Sequence, residues 1–167
     1  EFDFKNPSAS IPDLVKAYSM IQALDENHWK TQKTEEIKNT IAACAGLYLE
    51  AVSQNQEATP GSIVKLKLEA INRSFAEMQL ESITSLPEQK VTTENIALEY
   101  NSLKNISIDL QLPSDIEYTQ PYWLKEAGTD GMYTVSNQKN IGIPDVIREV
   151  KVIFNTRICG VEIPFER

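Results

Sequence analysis

Four aromatic residues crowd one irregular stretch of the chain: Tyr118, Tyr122, Trp123 and Tyr133. Aromatic faces stack on the C–H faces of sugars, and neighbouring amides and acids can take the hydroxyls. The other use for such a cluster is mechanical. Trp123, flanked by Pro121, Tyr122 and Leu124, forms a compact apolar group able to pin a long loop onto a folded body. Ordering a loop costs about 1–2 kcal/mol per residue, and no larger apolar group lies between Pro113 and Ile141. The residues therefore place Trp123 mostly buried, as an anchor. Tyr122 or Tyr133 is then the exposed ring if a sugar binds.

Elsewhere the chemistry is sparse. There is one histidine, His28, and proton transfer near neutral pH leans on histidine. It stands beside Trp29 with no acid four residues on, so it reads as a helix-start or packed residue. Glu35-Glu36 and Asp109…Asp115 read as solvated surface. No G-x-S-x-G, H-E-x-x-H, Walker or G-x-G-x-x-G pattern occurs. The residues thus offer no catalytic set, no metal site and no cofactor site. Cys44 and Cys159 are too few for a disulfide framework or a Cys-built metal site. One falls at a helix end and the other at a strand bend, so they are expected to stay unbonded. Asn72-Arg73-Ser74 and Asn105-Ile106-Ser107 fit the glycosylation sequon, a pattern that chance also produces.

The formal net charge is −8. An acidic surface repels phosphate backbones, which argues against a nucleic-acid partner. No apolar run approaches the roughly 18 residues of a membrane span. The opening Glu1-Phe2, without Met, reads as a processed product or an excised piece.

The elements that must position these residues follow from periodicity. Residues 1–45 read as a lead-in and an antiparallel two-helix hairpin. Ser10-Ile11-Pro12-Asp13 has the form of a capping box. Leu14, Val15, Tyr18, Ile21 and Leu24 make an amphipathic stripe ending near Asp25. A second helix runs from about His28 to Ala45, with Trp29, Ile37, Ile41 and Cys44 along one side. Gly46 stops it.

The period then changes to two. Leu47–Ser53 reads as a strand, with a helix continuing to Val52 as the competing reading. After the Pro60-Gly61 turn, Val64, Leu66, Leu68, Ala70 and Asn72 share one parity and Ile63, Lys65, Lys67 and Glu69 the other. Met78, Leu80, Ser82 and Thr84 alternate with Gln79, Glu81 and Ile83. Ile96, Leu98 and Tyr100 suggest part of another strand. Ile106, Ile108, Leu110 and Leu112 give the cleanest alternation. Residues 114–146 are a long aromatic loop, with Met132–Val135 as a possible short strand. Val150 to Phe165 read as two strands bent at Cys159-Gly160. Short strands separated by Pro and Gly indicate an antiparallel sandwich. The expected fold class is α+β: the helical hairpin, then an immunoglobulin-like antiparallel β-sandwich over residues 46–167.

Several stretches carry a family resemblance. They are Ala43-Cys44-Ala45-Gly46-Leu47-Tyr48-Leu49-Glu50-Ala51, Pro60-Gly61 with Leu68-Glu69-Ala70-Ile71-Asn72-Arg73-Ser74, Gln120-Pro121-Tyr122-Trp123-Leu124, Gly128-Thr129-Asp130-Gly131-Met132-Tyr133, and Ile163-Pro164-Phe165-Glu166-Arg167. Together they resemble the region after the catalytic domain in large PIG-L (LmbE-like) deacetylases of Bacteroidetes-type bacteria. That family's zinc-dependent catalysis uses a His-Pro-Asp-Asp motif, whereas His28 here is followed by Trp29, so no catalytic residue carries over. The resemblance implies a non-catalytic accessory module of a glycan deacetylase. It implies a periplasmic or cell-surface parent whose chain runs beyond Arg167, with that parent's own catalytic domain as partner. Carbohydrate binding through the aromatic loop, and protein docking through the Trp29 helix, are the other two expectations.

Overall fold

The computed structural model describes residues 2–144, 146, 148 and 150–167. Glu1 of the expected lead-in and Asp145 of the expected loop lie outside these residues. Among the described residues there are two α-helices, α1 (Ile11–Gln22) and α2 (His28–Ala45). The strands are β1 (Tyr48–Ser53), β2 (Ile63–Ile71), β3 (Met78–Leu86), β4 (Lys90–Ala97), β5 (Lys104–Gln111), β6 (Lys151–Ile158) and β7 (Val161–Glu166). The fold is α+β: two N-terminal helices packed together, then two antiparallel sheets.

The capping box at Ser10 is not made. A 3₁₀ turn, Pro7–Ser10, runs directly into α1, so Ser10 already has helical angles (φ −83°, ψ −11°) and its side chain caps nothing. The helix stops at Gln22, short of Asp25, and Leu24 is left in solvent. Ile11, Val15 and Tyr18 form its buried stripe. The start of α2 is capped conventionally: Asn27 Oδ1 accepts the Lys30 N–H at 3.0 Å. Its end is fixed by Gly46 at φ +56°. There the Leu47 N–H reaches the Ala42 carbonyl and the Gly46 N–H the Ala43 carbonyl, so two terminal carbonyls are satisfied. A Cβ at Gly46 would also meet the Arg73 Cβ at 3.0 Å. The chain leaves this turn extended, which rules out the helical continuation to Val52.

The expected apolar side of α2 is corrected at its start. Ile41 is buried and Ile37 and Cys44 are half-buried, but Trp29 is 64% exposed. Trp29 lies roughly 12 Å along the axis before Ile37 at 1.5 Å per residue, beyond the part of the helix that meets the core. Lys38 is buried instead. Its Nζ pairs with Glu35 at 2.8 Å and lies 5.9 Å from the Phe165 ring centroid, a cation–π distance.

The sheets have orders β1-β2-β5 and β4-β3-β6-β7. The central strand β2 behaves as its alternation predicts. Leu66, Leu68 and Ala70 are buried, while Lys65 and Lys67 face water. β3 does not hold one parity. Its register shifts between Leu80 and Ser82 against both neighbours. Met78 and Leu80 face inward before the shift; Ile83 and Ser85 do so after it. A bulge adds one residue and flips every later side chain. On the outer face, Arg157 donates to Glu81 and to Glu162, linking β3, β6 and β7. β4 takes Lys90–Ala97 of the polar 88–101 stretch, so of Ile96, Leu98 and Tyr100 only Ile96 lies in a strand. Met132–Val135 is not a strand; Thr129 and Met132 make only an isolated bridge. Buried residues of both helices and both sheets, among them Ile11, Ile41, Leu68, Leu80, Phe154 and Phe165, form one cluster.

Several polar residues are buried, among them Asn72, Ser74, Ser85 and Thr156. Asn72 is 1% exposed. Its Nδ2 donates to the Ala76 and Leu98 carbonyls, each at 3.0 Å. Its Oδ1 accepts the Ser74 N–H at 2.9 Å and the Ser74 hydroxyl at 2.8 Å. Its backbone carbonyl accepts the Asn101 N–H at 2.7 Å. The residue thus ties the β2–β3 crossing to the β4–β5 crossing.

Asn72→Ala leaves the Ala76 and Leu98 carbonyls without these donors. A buried polar group that loses its partner costs about 1–3 kcal/mol, so a loss of about 3 kcal/mol is expected in urea unfolding, with an unchanged denaturant slope. An Asn72→Ala chain as stable as the parent would refute the structural role of this amide.

Candidate functional site

The structure brings together only part of the expected aromatic site. β5 pairs antiparallel with β2, and Gln111 lies opposite Ile63. The long loop therefore leaves from the end of the sheet where β2 begins. Tyr118 and Tyr122 line one shallow depression of about 50 Å³, together with Glu117, Gln120, Lys125 and Asn140. Small-molecule pockets usually enclose about 300–1,000 Å³, so this dent could hold only a fraction of a sugar ring. Trp123 meets Tyr122 edge to face, with centroids 4.9 Å apart. Tyr133 is not in the depression. The rings of Tyr118 and Tyr133 are both more than two-thirds exposed.

Trp123 is not the anchor. It is half-buried, in the 3₁₀ turn Tyr122–Leu124, and is not among the residues packed on the core cluster; Ile116 is. The loop instead folds on its own polar groups. Lys125 pairs with Glu117 at 2.7 Å, the Ser136 hydroxyl donates to Glu126 at 2.6 Å, and the Gly142 N–H donates to the Tyr122 hydroxyl at 3.1 Å. Thr129 and Met132 exchange backbone hydrogen bonds around a tight turn. Gly128 is required beside it, because a Cβ there would fall 2.7 Å from the Met132 carbonyl oxygen. Many local hydrogen bonds offset the ordering entropy that a single buried indole was expected to offset.

Several titratable groups sit in local pairs. His28 opens α2 with its ring 5.5 Å from that of Trp29. Glu35 binds Lys38, and Glu36 binds Lys33. The hydrogen bond from Lys33, then that from Gln32, holds the Glu36 carboxyl below its usual range. Burial, then the Glu35 charge, pushes the Tyr18 hydroxyl up. Among the described residues no group of three His, Cys, Asp or Glu side chains gathers as a metal site would require. Cys44 and Cys159 are free, half-buried thiols. Of the two sequons, Asn72 has its side chain sealed by hydrogen bonds, whereas Asn105 stands on the exposed face of β5.

Sequence reasoning missed a second aromatic pair, Phe75 and Tyr100. Their rings stack nearly parallel, with centroids 4.2 Å apart and planes 20° apart. Phe75 is 84% exposed. It follows Ser74 in the β2–β3 crossing; Tyr100 lies in the β4–β5 crossing and bridges to Asn72. The available signal was Asn72, an amide on the apolar parity of β2.

Two outcomes follow for the loop. Trp123→Ala should lower stability by about 1 kcal/mol or less, the scale of an aromatic pair contact; a denaturant melt showing a loss of several kcal/mol would restore the anchor. The Ser136 hydroxyl and N–H also hold the Glu126 carboxyl below its usual range. A depressed folded-state pKa stabilises above the unfolded value and ceases to do so as pH falls through the folded one. The Ser136 amide proton resonance should therefore shift on acidification with a midpoint below 4.5, the ordinary value for Glu. A midpoint at or above that value would show that the Glu126–Ser136 bond does not form in solution.

No family model matches the chain and no curated protein matches it, so function has to be argued from residues and geometry.

Proposed function

We propose that the chain is a non-catalytic accessory module of a larger glycan deacetylase of the PIG-L (LmbE-like) type, acting on N-acetylglucosamine-type substrates, with an exported parent. In this reading residues 46–167 form an immunoglobulin-like β-sandwich. The order β1-β2-β5 against β4-β3-β6-β7 supports that, since it differs from the constant-type arrangement only in placing the fourth strand beside the third. The observation that carries the functional reading is how side chains are distributed. Glu26, Glu36 and Glu117 lie in surface ion pairs with lysines, while Met20, Leu24 and Trp29, around the turn between the helices, stand 55–66% exposed. Large apolar side chains in solvent suit a surface that another body covers. The parent's catalytic domain is the partner this reading supplies.

A second reading, carbohydrate binding through the loop, is favoured by the exposed rings of Tyr118 and Tyr133. It loses weight from the size of the depression beside Tyr122.

The purified chain, supplied with zinc, is expected to release no acetate from N-acetylglucosamine oligomers. Acetate release that a chelator stops and His28→Ala abolishes would defeat the accessory reading. The parent's catalytic domain, expressed separately, should co-purify with the chain and do so less with Trp29→Asp. Equal recovery with both forms would remove Trp29 from the contact.

A further inference from the structure

We propose that the end of the molecule built from residues 72–77 and 98–103 is a saccharide platform, on which the C–H face of a neutral pyranose ring stacks against the Phe75–Tyr100 pair. This goes beyond the accessory-module reading and does not depend on it. It also differs from the loop reading, because the loop leaves from the opposite end of β2.

Phe75 leaves 84% of its surface in water although the chain around it is held tightly. Asn72 fixes Ser74 and Ala76 on either side of it, and the Ala76 N–H also donates to the Ser74 hydroxyl at 3.2 Å. The same amide holds Leu98, and its backbone holds Asn101, on either side of Tyr100. A buried polar hub therefore sets both rings. The two rings stack with centroids 4.2 Å apart, which sets the plane of Phe75 against that of Tyr100. With Phe75 84% and Tyr100 54% exposed, the stacked pair presents apolar ring surface to solvent.

The surroundings select the ligand. Glu99, just before Tyr100 in the chain, pairs with Lys104 at 3.4 Å, and Asn101, just after Tyr100, is exposed. Acid, base and amide together supply donors and acceptors for hydroxyls without a net charge of either sign, which fits a neutral polyol better than a phosphate or a polyanion. Proline-rich peptides dock in grooves between several aromatic ridges; here there is one stacked pair. A ring already fixed in place loses little freedom on binding, so even a small contact yields usable affinity.

The test is a titration of the intact chain, followed by NMR, with trisaccharides of glucose, mannose and N-acetylglucosamine and, separately, a proline-rich peptide. At least one saccharide is expected to shift the Phe75, Tyr100 and Asn101 resonances with millimolar affinity. Phe75→Ala should weaken that binding roughly tenfold or more, while Phe75→Trp keeps it and Tyr133→Ala leaves it unchanged. Phe75→Ala should also keep the parent's thermal midpoint, since so little of the ring is buried. The proposal is overturned if no saccharide moves these resonances, if Phe75→Ala binds as well as the parent, if the shifts map to Tyr122 and Tyr133, or if only the peptide binds.

Discussion

A single primary amide, sealed from water, holds one end of both sheets. Asn72 sits where β2 leaves its sheet and the chain crosses to β3. Four side-chain hydrogen bonds and one backbone bond converge on it. An apolar residue of similar size could fill the same space. It could not penalise a wrong crossing, because apolar contact has no direction. A buried amide can, since any arrangement that misplaces Ala76 or Leu98 leaves polar groups orphaned in a low-dielectric interior. The residue therefore selects one mutual placement of the two crossings, and the pose of Phe75 and Tyr100 follows from it.

The helices are joined to the sheets by a different logic. Their buried face is mostly aliphatic and merges with the sheet interior through Ile11, Val15, Ile41 and Ala45. Non-directional burial of this kind supplies most of the attraction. Orientation comes from the less ordinary contacts. Lys38 lays its stem along the core and turns its charge to Glu35 and to the Phe165 ring. Arg167, at the end of β7, donates from its guanidinium to the Leu49 carbonyl of β1 at 3.0 Å, so the outer strands of the two sheets are linked as well. Gly46 stands at the junction of helix and strand with the left-handed backbone that lets the chain turn sharply.

Much of this was legible in the sequence. Period-two alternation located β2, β5 and the final pair of strands, and Gly46 marked the end of α2. The failures have local causes. The alternation in β3 crosses a bulge, and one extra residue reverses the face of everything after it, which no parity count can foresee. The capping box at Ser10 lost to a 3₁₀ turn that entered the helix first. The sequence points to Trp123 as a mostly buried anchor because ordering a long loop has an entropic cost that apolar burial can offset. Glu117, Glu126, Ser136 and Tyr122 hold that loop through polar contacts instead, and composition alone does not reveal which polar groups will meet. The Phe75–Tyr100 pair was invisible for another reason: the two rings sit in separate crossings, and only the pairing of the strands brings them together.

The two aromatic regions differ in what supports them, and that difference bears on which could recognise anything. Tyr133 stands on a loop organised by its own surface hydrogen bonds, where water competes for every partner and acidification weakens the bond between Glu126 and Ser136. Phe75 stands three residues from a buried amide whose partners are shielded from water. A ligand on the first must also hold the loop in place, and each residue it immobilises subtracts from affinity. A ligand on the second meets a surface whose ordering was completed when the chain folded. For a contact as small as one stacked ring, where the gross attraction is only about 0.5–1.5 kcal/mol beyond area burial, that prior ordering decides whether binding is measurable.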